Sequence, residues 1–62
     1  SNVGELAQII EAVVSANTAV AEDYRKGKTV AMQFLIGQAM KATKGAGNPV
    51  VLKELLEKKL NA

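Results

Sequence analysis

Aliphatic residues recur three and four positions apart along most of this chain. Three breaks cut the rhythm: Asn17-Thr18, Gly27, and the stretch from Gly45 to Pro49. Such spacing lays apolar side chains along one face of an α-helix, where a strand would need strict alternation. The expected fold is therefore all-α, a small three-helix bundle with one additional short helix. The first helix runs from Gly4 to Ala16, with Leu6, Ile9, Ile10, Val13 and Val14 facing inward and Glu5, Gln8 and Glu11 opposite. Asn17-Thr18 ends it and caps a short second helix, Ala19 to Lys26, with Val20 and Tyr24 as its buried pair and Gly27 as its stop. Thr29 caps the third, which reaches about Thr43 and is closed by Gly45. Asn48 as N-cap and Pro49 at the first helical position open the fourth. Its inward stripe is Val51, Leu52, Leu55, Leu56 and Leu60, and Lys58 and Lys59 complement its final carbonyls.

The third helix is apolar nearly all round, as a central helix should be. With Val30 at zero and about 100° per residue, Ala31, Met32, Leu35, Ile36, Ala39 and Met40 share one broad side. Gln33, Gly37, Lys41 and Lys44 gather on the other, with Val30 and Phe34 along its edge.

Composition removes several kinds of chemistry. Among 62 residues there is no cysteine and no histidine. Disulfides, thiolate metal sites and the usual general base near neutral pH are therefore absent, and neither catalytic residues nor a metal site is expected. The longest near-apolar run, Val30 to Met40, is too short to span a bilayer, so no membrane role is expected. No signal-peptide pattern precedes it. Ser1-Asn2 has the look of a remnant of expression tagging and carries no functional weight.

Two glycine motifs fail on spacing and context. Gly27-Lys28-Thr29 matches the end of a phosphate-binding loop, but the glycine required five residues earlier is Glu22, and a helix stands where a strand belongs. The run from Gly45 to Val50 lacks the third glycine and the βαβ setting of a dinucleotide fingerprint. The six carboxylates fit solvated helix faces and helix N-termini, and no pair is marked as acid and base.

Charge distribution says more than the net value of +2. Arg25, Lys26, Lys28, Lys41 and Lys44 follow one another with no acidic residue between Asp23 and Glu54. For Lys41 and Lys44 there is a plain reading, a solvated face at a helix C-terminus, where cations are favoured anyway. Against it stands Gly37, one turn below Lys41, because a mid-helix glycine costs about 1 kcal/mol relative to alanine. Such a glycine serves close approach by another helix or by a ligand backbone. The turn from Gly45 to Asn48 also leads to a new helix N-terminus, whose N–H groups can hold an anion. With only Tyr24 and Phe34 as rings, a base-stacking platform for single strands is not expected. Backbone and shape recognition of folded RNA remains open.

Three segments carry a family likeness: Tyr24 to Lys28 (YRKGK), Phe34 to Pro49 (FLIGQAMKATKGAGNP) and Leu55 to Leu60 (LLEKKL). In order and spacing they resemble the C-terminal tail of GatB, the B subunit of the tRNA-dependent amidotransferases, a tail shared with YqeY-like proteins. Departures are Gly47, where the family often has alanine, and Ala39, where a larger aliphatic residue is common. The resemblance implies that residues 1–62 are a single helical subdomain cut from the C-terminus of a larger subunit. It implies a parent that converts Glu-tRNA(Gln) or Asp-tRNA(Asn) to Gln-tRNA(Gln) or Asn-tRNA(Asn), using ATP, Mg²⁺ and glutamine, with no cofactor in this fragment. The implied partners are tRNA and the A and C subunits, in the cytoplasm or, in a eukaryote, an organellar matrix. On that reading Lys41, Lys44, Gly45 and Asn48 meet tRNA backbone, Arg25 and Lys28 flank them, and Gly37 and Gln38 set a close approach or a packing hydrogen bond. The alternative is a helical protein-interaction module of a stand-alone YqeY-like protein.

Overall fold

Four helices follow one another: α1 (Val3–Ala16), α2 (Thr18–Arg25), α3 (Val30–Ala42) and α4 (Pro49–Leu60). The computed structural model describes residues 3–62, with Val3 described by its backbone only; Ser1 and Asn2, and whatever role a tag remnant would have there, lie outside the described residues. Three long helices and one short one make the expected bundle, and no strand occurs among the described residues.

α3 packs against each of the other three helices, which is why its sequence is apolar on so many sides. The core joins Ile10, Val13 and Val14 of α1, Ala21 of α2, Met32, Leu35 and Ala39 of α3, and Leu52, Leu56 and Leu60 of α4. Leu35, Leu52 and Leu56 are fully buried, so truncating any of them to alanine costs about 2–5 kcal/mol. Ala21 and Ala39 are equally buried, and their small side chains let neighbouring helices come close. No polar or charged residue is in the core among the described residues.

Several expectations at the helix ends change. In α2 the buried residue is Ala21, while Val20 and Tyr24 are half-buried against the core, because the short helix meets it along one narrow line. Asn17 does not cap α2 through its side chain; its Nδ2 donates to the carbonyl of Val13, 2.9 Å away, and so closes α1 instead. Thr29 makes no side-chain cap either. Its own backbone is already helical, and the first α3 N–H groups donate three residues back, from Ala31 to Lys28 and from Met32 to Thr29. Val51 and Leu55 are half-buried shoulders of the α4 stripe, whose buried members are Leu52, Leu56 and Leu60. At the end of α4, the Leu60 carbonyl accepts from Arg25 of α2, while Lys59 reaches Glu11 of α1 at 2.6 Å.

Two helix ends are read correctly. At Gly27, φ is +96°, its N–H donates to Tyr24 and that of Lys28 to Asp23, the paired bonds of a Schellman stop. At Asn48, Oδ1 accepts from the Val50 N–H at 2.8 Å, and Pro49 occupies the first turn, where its missing N–H is not needed.

Candidate nucleic-acid interface

The corner between α3 and α4 is built around Thr43. Its hydroxyl donates to the Met40 carbonyl at 2.9 Å and accepts the Gly47 N–H at 3.1 Å, so one half-buried side chain ties the helix end to the loop that leaves it. Gly47 rests on this hub. A Cβ there would stand 2.9 Å from Leu52 Cδ1 and 3.0 Å from Thr43 Oγ1, so an alanine requires the Leu52 methyl to give way.

The stop of α3 falls one residue earlier than the glycine suggests. The Lys44 N–H donates to Lys41 and the Gly45 N–H to Met40, the same Schellman pairing as at Gly27. In α3, however, the left-handed residue directly after the cap is Lys44, with φ +56°, and Gly45 follows at φ +79°. A left-handed conformation is costly for a residue with a Cβ. A lysine occupies the place where glycine is the common solution.

Lys41 and Lys44 are both exposed, and neither forms an ion pair among the described residues. Gly37 lies on the same outer face of α3, and a Cβ added there would meet nothing within 4 Å. Packing among the described residues therefore does not account for that glycine. Val30 is 70% exposed and Phe34 46% exposed; both share this side of the helix by their rotation about its axis. The outer face of α3 thus runs from Val30 and Phe34 through Gly37 to Lys41, with no acidic residue in the helix, and Lys44 follows just past its end.

The sequence-predicted residues divide between two ends. Lys41, Lys44, Gly45 and Asn48 lie along the end of α3 and the turn into α4. Arg25 and Lys28 lie at the opposite end of α3, about 20 Å away for a helix of 13 residues. Both are engaged there. Arg25 Nε donates to Leu60 at 3.1 Å and its guanidinium lies 3.6 Å from Glu22, while Lys28 lies 3.9 Å from Asp23. Asn48 is engaged by its cap on Val50. Gln38 is half-buried at a groove against α1, beside Ile9, Val13 and Asn17, and makes no side-chain hydrogen bond among the described residues. Sequence reasoning passed over Lys53, an exposed lysine in the same acid-free run, and the exposure of Phe34.

A groove of about 580 Å³ lies between α2, α3 and α4, with Tyr24 and Ile36 beside Lys53 and Glu57. Among the described residues no three His, Cys, Asp or Glu side chains gather to hold a metal ion. No helix there is long and apolar enough to cross a membrane.

Similarity to known proteins follows the same residues. The B subunit of the aspartyl/glutamyl-tRNA(Asn/Gln) amidotransferase of Cupriavidus metallidurans is 53% identical over 60 residues, covering 97% of this chain and 12% of that protein. The corresponding B subunits of Herminiimonas arsenicoxydans and Desulfotalea psychrophila are 52% and 51% identical, covering 100% and 98% of this chain and 13% of each relative. The chain thus spans about an eighth of the length of these relatives. No solved structure matches it. The family model described as the GatB domain matches residues 1–60, and the chain belongs to that family.

Proposed function

We propose that this chain is the tRNA-contacting C-terminal subdomain of an amidotransferase B subunit. The whole enzyme would convert Glu-tRNA(Gln) or Asp-tRNA(Asn) to Gln-tRNA(Gln) or Asn-tRNA(Asn), with glutamine as the ammonia source. ATP and Mg²⁺ would activate the carboxylate of the mischarged residue elsewhere in the parent protein. Its partners would be tRNA and the A and C subunits, in the cytoplasm or an organellar matrix.

The observation that carries the proposal is the unpaired basic corner. Lys41 and Lys44 face solvent beside a hydrogen-bonded turn, at the end of a helix without acids. Lysines so placed neutralise phosphates and position an RNA without reading its bases. Arg25 and Lys28 fit a secondary role, because each is already engaged within the fold. The test is the paired charge reversal Lys41→Glu and Lys44→Glu in the assembled amidotransferase. KM for the mischarged tRNA rises while the domain stays folded and glutamine hydrolysis continues; unchanged KM and kcat would remove tRNA contact from this corner.

A second reading draws on one observation, the exposed Val30, Phe34 and Val50. As a protein-interaction module of a YqeY-like protein, the chain would bury these residues against a partner, and the same charge reversal would leave tRNA kinetics untouched.

A further inference from the structure

We infer that the ring of Phe34 stacks against a single unpaired base of the bound RNA, with Gly37 leaving room beside it and Lys41 holding a nearby phosphate. This rests on the tRNA-contacting reading above and adds a base contact to it. Phe34 lies outside the buried core cluster and lines neither the groove beside Tyr24 and Ile36 nor the one beside Ile9 and Gln38. It is 46% exposed, which leaves part of its side chain open to a partner.

Its neighbours suit a nucleotide. Side chains on a helix lean towards its N-terminus, so residues 37 and 38 are those that would cover the surface next to Phe34. Position 37 is glycine, and the space where its Cβ would stand is open for 4 Å. Gln38, one turn after Phe34, stands half-buried at the groove against α1, and its amide has both a donor and an acceptor to offer a base edge. Lys41 lies about 10 Å further along the helix. It has no ion-pair partner among the described residues, and no acid interrupts α3. Two rings are too few for a run of stacked bases, but one ring suffices for one base, and stacking on an aromatic face tolerates any base.

Charge complementarity selects RNA over a protein segment as the occupant. The face offers two apolar side chains, Val30 and Phe34, among Gln33, Gly37, Gln38 and Lys41, with no ring of acids to meet a basic partner. A broad aliphatic patch of the kind that docks proteins is absent from this helix face.

The test measures Kd for mischarged tRNA at several salt concentrations in the assembled amidotransferase, alongside subunit assembly and folding by circular dichroism. Phe34→Ala should weaken binding about 5- to 100-fold. Phe34→Leu, which keeps an apolar side chain but loses the ring face, should give most of that loss, and Phe34→Trp should hold affinity. The salt slope should stay at its wild-type value in all three, because stacking releases no counterions. Gly37→Ala, which narrows the space without touching the ring, should weaken binding several-fold. Wild-type affinity in Phe34→Leu, with the lysine variants still impaired, would overturn the stacking role and leave the tRNA reading standing. Loss of subunit assembly at unchanged tRNA affinity would make Phe34 a protein contact and overturn the inference. Wild-type affinity in both the Phe34 and lysine variants would overturn both readings.

Discussion

Arg25 Nε donates to the Leu60 carbonyl at 3.1 Å, joining the ends of α2 and α4 across 35 residues of sequence. The last carbonyls of a helix lack intrahelical partners, and a guanidinium both bonds them and meets the negative end of the dipole. Arg25→Ala should therefore destabilise the domain by about 1–2 kcal/mol. In a domain of this size about 1 kcal/mol moves Tm by roughly 4–8 °C, so a thermal melt followed by circular dichroism will show the loss. A melt unchanged from wild type would assign Arg25 to the surface.

Lys44 should show the opposite sign. Its left-handed backbone suits glycine, so Lys44→Gly relieves conformational strain of about 1 kcal/mol and should raise Tm. If the lysine is kept for RNA, the same change should weaken tRNA binding. Paired melts and binding curves on this one variant separate stability from function.

Gly37→Ala carries a similar conflict. The open space above Gly37 admits a methyl group without contact, and alanine is the better helix former. Stability should rise by about 0.5–1 kcal/mol, read as a higher Tm. A fall in Tm would mean that α3 does not leave that face open.

Thr43 is the hinge pin of the corner. Thr43→Val removes the bonds to the Met40 carbonyl and from the Gly47 N–H while keeping the shape. The expected cost is about 1–3 kcal/mol, since the half-buried Gly47 N–H loses its partner. Thr43→Ser should recover much of it. Hydrogen exchange at the Gly47 amide gives a local readout, with faster exchange expected in the valine variant.

The parts of this fold that were legible in sequence are those set by neighbours in the chain. Helical periodicity gave four helices, and Gly27 and Asn48-Pro49 mark their ends because glycine, asparagine and proline act through local backbone chemistry. Gly45 misled by one residue. In Lys44-Gly45 either residue can follow the cap, and the Schellman bonds from Lys44 and Gly45 select the lysine. The Arg25–Leu60 bond was hidden because it depends on how α2 and α4 meet.

At the candidate site, rotation about α3 puts Gly37 and Lys41 on one exposed side, but Lys44 lies past the helix end in a left-handed conformation, where that rotation no longer applies. It placed Phe34 only at an edge, since a residue there is buried or exposed according to where α1 and α4 settle. Rotation about one helix also says nothing of its length, which separates Arg25 and Lys28 from the α3–α4 corner.

The central claim, that Lys41 and Lys44 meet RNA phosphates, is tested most directly by the salt dependence of tRNA binding. Each phosphate contact contributes about 0.7–0.9 to the slope of log affinity against log salt. A surface making two to four contacts has a slope of about −1.5 to −3.5, and the whole enzyme adds its own contacts to that. Comparing wild type with the Lys41→Ala, Lys44→Ala double variant in the assembled amidotransferase isolates the corner. The slope should become shallower by about 1.4–1.8 units, with weaker binding at low salt. An identical slope and affinity in the two proteins would contradict the account.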